Sequence, residues 1–93
     1  MAVFKVTVHG RGLWISIDDE RQRVQFHVTR ILHARNADEA AQLALELVRQ
    51  DPRAQPQPDS ALPRLTVVAV AHAATIPRTQ PGFAFFPDPG SPS

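Results

Sequence analysis

Cysteine and tyrosine are absent from this 93-residue chain, and Lys, Met and Trp occur once each. Without a thiol there is no disulfide framework, no cysteine metal centre and no thiol chemistry. No apolar run approaches the ~20 residues a spanning helix needs. The start, MAVFKVTVHG, alternates like a strand and lacks the basic opening and unbroken apolar stretch of a secretion signal. These absences give the expectation of a cytoplasmic protein with no membrane partner. A surplus of one charge is missing as well, since ten basic residues against nine acidic leave +1, which steers no partner strongly. Nine of the ten basic residues are Arg, as the coding bias of a GC-rich genome would produce together with the abundant Ala and Pro. They run from Arg11 to Arg78, interrupted by acids. Sequence order thus offers no clustered basic face, and nucleic acid is not an expected partner.

What is present fits one domain, expected over 1–87 with a loose end at 88–93. VFKVTVH (3–9) and LWISI (13–17) alternate with period two, and Gly10-Arg11-Gly12 between them supplies residues suited to a tight reversal. DDERQR (18–23) reads as a second connection, and VQFHVTRILHA (24–34) as a third strand. Asn36 is a good helix N-cap with Glu39 three residues on, and Ala37 to Gln50 carries Ala40, Ala44, Leu47 and Val48 at helical spacing. Asp51-Pro52 ends that helix, and four prolines make 51–63 a solvated loop. RLTVVAVAHAA (64–74) is apolar on both faces, the mark of a strand that is central or covered on both sides. The expected fold class is α+β, in the order β-β-β-α-β. It is a four-stranded, mostly antiparallel sheet with one helix packed on one face and an ordered aromatic C-terminal strap.

That strap is PGFAFFP (81–87). Pro81 and Pro87 bar it from a sheet interior but not from an edge, and alternation sets Phe83 and Phe85 on one side with Phe86 on the other. Burying two such rings contributes roughly 3–6 kcal/mol, so the segment is expected to close an apolar surface of its own or a neighbouring protomer. The helix covers the sheet face bearing Phe4, Val6 and Val8. The opposite face would carry Trp14, His27, Ile31 and Val70, too apolar to stand uncovered.

Candidate chemistry is thin. His9, His27, His33 and His72 show no HxH or HxxxH spacing, so no metal or other cofactor is expected. Asp18-Asp19-Glu20 reads as a solvated turn beside Arg21 and Arg23, and no nucleophile elbow surrounds Ser16. Arg30 interrupts the apolar run VTRIL and would pair with an acid on the helix, Asp38 or Glu46, or bind an anion at an interface. The reading is a non-enzymatic interaction module that self-associates as a homodimer through the sheet face or by strap exchange. Its contact residues are Trp14, Ile31, Val70, Phe83, Phe85 and Phe86. The alternative is a small-ligand, peptide or protein-partner site on the same face, with His27 and Arg30 as polar anchors.

GRGLWISID, HVTRILHARNADEAAQLALELVRQDPR and PGFAFFP together resemble a group of small uncharacterised bacterial α+β proteins, a domain of unknown function, over nearly the whole chain. The segment HVTR departs from the more aromatic Tyr-Thr-Thr-Arg-like stretch of that group. The resemblance implies a compact single domain and carries over no catalytic or binding residue.

Overall fold

The structure, a computed structural model, describes residues 1–55 and 61–87. The inner part of the Pro-rich loop and the expected loose end at 88–93 lie outside the described residues. Two long strands dominate. β1 (Ala2–Ile17) and β2 (Glu20–Ala34) pair antiparallel from Ala2 opposite Ala34 to Ile17 opposite Glu20. The chain reverses through Asp18 and Asp19 alone, both at positive φ (51° and 66°). A two-residue turn left-handed at both positions matches the twist of its strands, and Asp tolerates that backbone better than most residues.

Gly10-Arg11-Gly12, expected to be the reversal, is a bulge within β1. Gly10 stands opposite Phe26 and Leu13 opposite Val24, so Arg11 and Gly12 together face the single residue Gln25. The extra residue shifts the side-chain phase. Before it, the even positions Phe4, Val6 and Val8 are buried, and after it the odd position Leu13. Gly12, at φ 74°, takes the left-handed position of the bulge. Two strands, not three, therefore precede the helix, and 18–23 is the turn plus the start of β2.

The helix α1 (Ala37–Gln50) has the expected bounds. Asn36 Oδ1 accepts the Glu39 N–H at 2.8 Å, and Glu39 Oε1 accepts the Arg35 N–H at 3.1 Å. Ala40, Ala44 and Val48 are buried, so small side chains let the helix lie close on the sheet, while Leu43 and Leu47 stay partly exposed on one flank. A 3₁₀ turn (Pro52–Ala54) follows, then β3 (Arg64–His72) and β4 (Ala84–Pro87). All pairings are antiparallel, in the order β3-β1-β2-β4. β2 and β3 both oppose β1, so they run parallel to each other, and the link between them has to cross the sheet. The helix makes that crossing. The architecture is thus the expected four-stranded antiparallel sheet with one helix on one face.

β3 differs from its expected place: it is an edge strand. Val68 is inserted between Ala69, opposite Thr7, and Val67, opposite Val8. This second bulge keeps Leu65, Val67 and Val70 against the core and leaves Val68 53% exposed. An apolar run through a bulge mimics a strand covered on both faces.

The strap is ordered and closes its own chain. Ala84–Pro87 pairs with Val24–His27 of β2. Phe83 and Phe85 stack at 5.6 Å and lie 5.1 and 5.9 Å from the Phe26 ring, whereas Phe86 meets His27 on the other face at 5.3 Å. Further along the β2 edge, the Gln80 side-chain amide replaces a strand. Its Oε1 accepts the Ile31 N–H at 2.9 Å and its Nε2 donates to the Ile31 carbonyl at 2.8 Å. Leu13 to Arg23 runs beyond the last pairs with β3 and β4 as a two-stranded arm. The arm stretches the molecule to 44 × 23 × 21 Å with a radius of gyration of 14.2 Å, against about 12 Å for a compact chain of this length.

Candidate functional site

The phase set by the Gly10–Leu13 bulge decides what the sheet face away from the helix carries. β1 contributes Val3, Lys5, Thr7, His9 and, past the bulge, Trp14. Its partner β2 contributes Arg21, Arg23, Gln25, His27, Thr29, Ile31 and His33. At the edges stand Arg64 and Thr66 of β3 and Phe86 of β4. Among the described residues this face holds five permanent cations, Lys5, Arg11, Arg21, Arg23 and Arg64, and no carboxylate. The helix side is balanced, with Arg30, Arg35, Arg49 and Arg53 against Asp38, Glu39, Glu46 and Asp51. Asp18, Asp19 and Glu20 sit at the tip of the arm. Among the described residues, a net charge near zero therefore hides a segregation of charge between the two faces.

Across the middle of this face three rings from three strands form a row. His9 and His27 meet edge-to-face at 4.8 Å, and His27 meets Phe86 at 5.3 Å. Gln25, buried beneath them, holds the row together: its Oε1 lies 2.8 Å from His9 Nε2, and its Nε2 donates to the Pro87 carbonyl at 2.9 Å. Towards the arm, Arg11, Trp14, Arg23, Arg64 and Leu62 line an open basin of about 480 Å³. Arg21 also lies over the Trp14 ring at 5.4 Å. A smaller apolar cavity of about 250 Å³ lies on the helix side, between Val48, Ala54, Leu62 and Leu65.

The eight residues singled out from the sequence divide between the two sides of the sheet. Trp14, His27, Ile31 and Phe86 share the open face. Arg30, Val70, Phe83 and Phe85 lie on the helix side, where Val70 and Phe83 pack against the core and Phe85 is 43% exposed. Val70, expected on the open face, is turned inward by the Val68 bulge. Alternation also puts His9 and Gln25 on the open face, although neither is among the residues singled out, and the Arg11–Arg23–Arg64 group has no signal in sequence order. The grouping of Arg11 with Arg23 and Arg64 becomes readable only once the strand pairings are known.

Arg30 is an internal clamp. Only 5% exposed, it donates to the Thr29 and Pro81 carbonyls at 2.9 and 2.8 Å and to Asp51 Oδ2 at 3.2 Å. It pairs with the helix C-cap, Asp51, rather than with Asp38 or Glu46. The guanidinium groups of Arg30 and Arg53 lie 5.4 and 4.7 Å from the Phe83 ring, so helix end, β2 and strap meet at this point. Hydrogen bonds from the Arg53 side chain, with further help from its backbone N–H and from Arg30, lower the Asp51 carboxyl to about 2. A carboxyl lowered on folding adds stability at any pH above its ordinary value near 3.8 and loses that contribution as pH falls towards 2. Asp51→Asn is expected to lower stability at neutral pH and to flatten the stability–pH curve between about pH 4 and 2. Urea melts across that range read the slope directly, and an unchanged slope would show that the clamp contributes little.

Among the described residues no three His, Asp or Glu side chains gather as metal ligands, and no helix is long and apolar enough to cross a membrane. No family model, curated protein or solved structure matches the chain.

Proposed function

We propose that this chain is a non-enzymatic interaction module that acts as a homodimer, joined edge to edge through β3. The observation that carries this reading is the outer edge of β3. β1 fills one side of this nine-residue strand, and no described strand fills the other. Proteins usually blunt such edges with Lys, Pro or a cover. Here the interior, LTVVAVA, contains no charge and no proline, and Val68 is 53% exposed at its centre. The other edge is managed differently, since β4 and the Gln80 amide occupy the outer side of β2.

Antiparallel pairing of Leu65–Val67 of one protomer with Val70–His72 of its partner around a two-fold axis sets inward residues opposite inward ones, a self-complementary contact. A sheet-face dimer would instead press the five cations of the open face against their own copies. Strap exchange has no vacancy to fill, because the strap already closes its own chain.

Sedimentation velocity between 1 and 100 µM is expected to show a species of twice the 10.3 kDa chain mass. Val68→Lys is expected to give a folded monomer, because an edge lysine opposes strand addition without touching the core. A monomer at every concentration removes the dimer, and a dimer that survives Val68→Lys moves the contact elsewhere. Peptide capture on the same edge would appear as a native monomer that loses peptide binding in Val68→Lys.

A further inference from the structure

The open face has a character that an edge-to-edge dimer does not use. It is a platform of rings set among cations, whereas a face that merely needs solvation would mix both signs of charge. We propose that this face binds single-stranded nucleic acid, with the phosphates on the arginines of the basin and bases stacked on Trp14 and Phe86.

Three features combine to select that ligand. The first is charge: against the five cations of the face stands no described carboxylate. The only acids that the helix, the arm tip and the rest of the described chain do not account for are Asp59 and Asp88. Arg11, Arg21 and Arg23 also engage in contacts within the protein, so the argument rests on the surplus of charge and not on any idle side chain. The second is placement. Arg11 and Arg64 are direct cross-strand neighbours, and Trp14 and Arg23 are likewise paired. Like charges set opposite each other on a sheet weaken the pairing, and a polyanion lying across them reverses that effect. The third is stacking surface. Trp14 and Phe86 stand two strands and two residues apart, about 12 Å by sheet geometry, with the His9–His27 pair beside them. Aromatic rings interleaved with Arg on an open surface are what a single strand requires, since its bases are free to stack and its backbone follows the charge. A duplex hides its base faces, and an acidic protein offers nothing to stack.

The chain has one tryptophan, and it lies in the proposed site, so its emission reports occupancy. Titrating the full chain with a 12-nucleotide single strand at 50 mM salt is expected to quench Trp14 and raise the anisotropy of an end-labelled oligomer in step. Three to four phosphate contacts predict a log–log salt slope of about −2 to −3, roughly a 15- to 60-fold loss of affinity between 50 and 200 mM. Arg64→Glu is expected to weaken binding about tenfold and to flatten that slope by about 1. Lys5→Glu, at an exposed site further along the same face, repeats the test if Arg64→Glu disturbs β3. Val68→Lys separates this inference from the dimer, because it removes the edge contact and leaves strand binding in place.

The inference is overturned if no quench accompanies saturating oligomer, or if polyglutamate of matched length quenches equally. It also fails if a duplex binds as tightly as the single strand, or if both charge reversals leave the affinity unchanged. Equal quenching by a mononucleotide would replace the strand with a small nucleotide ligand and overturn it too.

Discussion

Gly10→Ala is expected to destabilise the domain by about 3 kcal/mol, enough to lower Tm by about 12 °C or more. The cause is proximity and not backbone freedom. A Cβ at position 10 would lie 2.2 and 2.3 Å from two atoms of the Phe26 ring, well inside contact distance. That ring cannot easily retreat, since it is fully buried with Phe83 and Phe85 packed on it. Close-packed interiors answer such intrusions with off-rotamer side chains and displaced backbone. Gly12, two residues on, makes the contrast. Its added Cβ would meet nothing within 4 Å, but its φ of 74° disfavours a side chain, so Gly12→Ala should cost about 1 kcal/mol and Gly12→Asn less. A double-mutant cycle separates the mechanisms. With Phe26→Leu in the background, Gly10→Ala should lose at least 1 kcal/mol of its effect, whereas Gly12→Ala should keep all of it. A Gly10→Ala protein within 0.5 kcal/mol of the parent in urea melts would show that the ring moves freely.

The same two glycines show why part of the fold was legible and part was not. Alternation in VFKVTVH and LWISI places Phe4, Val6, Val8 and Leu13 on one face under either a reversal or a bulge, because both change the phase. Which one occurs depends on partners far away in sequence. β2 must be long enough to pair with both halves, and Phe26 needs a residue without a side chain opposite it. Asp18-Asp19 was the local clue. Two adjacent residues able to adopt left-handed backbone, ahead of a charged but strand-compatible ERQR, suffice for a two-residue hairpin. The helix was readable to its ends because its caps, Asn36 and Asp51, act locally. β3 was misplaced for a similar reason to β1: a bulge at Val68 leaves no signature in a run of Val and Ala.

The candidate site was partly hidden for a different reason. Composition reports the sum of charges and cannot show that Lys5, Arg11, Arg21, Arg23 and Arg64 share a face while Asp38, Glu39, Glu46 and Asp51 lie on the opposite side of the sheet. Arginines scattered along a chain become a cluster when strands bring every second residue together. Among the described residues, arginines dispersed among acids along the chain are thus brought together on one face. Trp14, His27, Ile31 and Phe86 share the open face because each follows simple alternation within its own strand.

Ending the chain at Gln80 is expected to abolish cooperative folding. The truncation removes the Phe83 and Phe85 rings from Phe26, the Pro81 carbonyl from Arg30, the Pro87 carbonyl from Gln25, and β4 from Val24–His27. The two rings, Phe83 half-buried and Phe85 43% exposed, together contribute roughly 2–4 kcal/mol. The lost polar partners add about 1–3 kcal/mol for each buried group left unsatisfied, and Arg30 and Gln25 are 5% and 8% exposed. A domain of this length has a net stability of about 5–14 kcal/mol, so the losses consume most or all of it. The uncovered β2 edge would also be free to pair with other chains, so the truncated protein should aggregate. Phe83→Ala with Phe85→Ala in the full chain isolates the ring contribution, because the backbone of β4 and its bonds to β2 stay in place. That double variant should fold with stability reduced by about 2–4 kcal/mol, while the truncation should lose near-UV dichroism and its thermal transition. Equal melting temperatures for the truncated and full chains would mean that the strap rests on a sheet already complete without it.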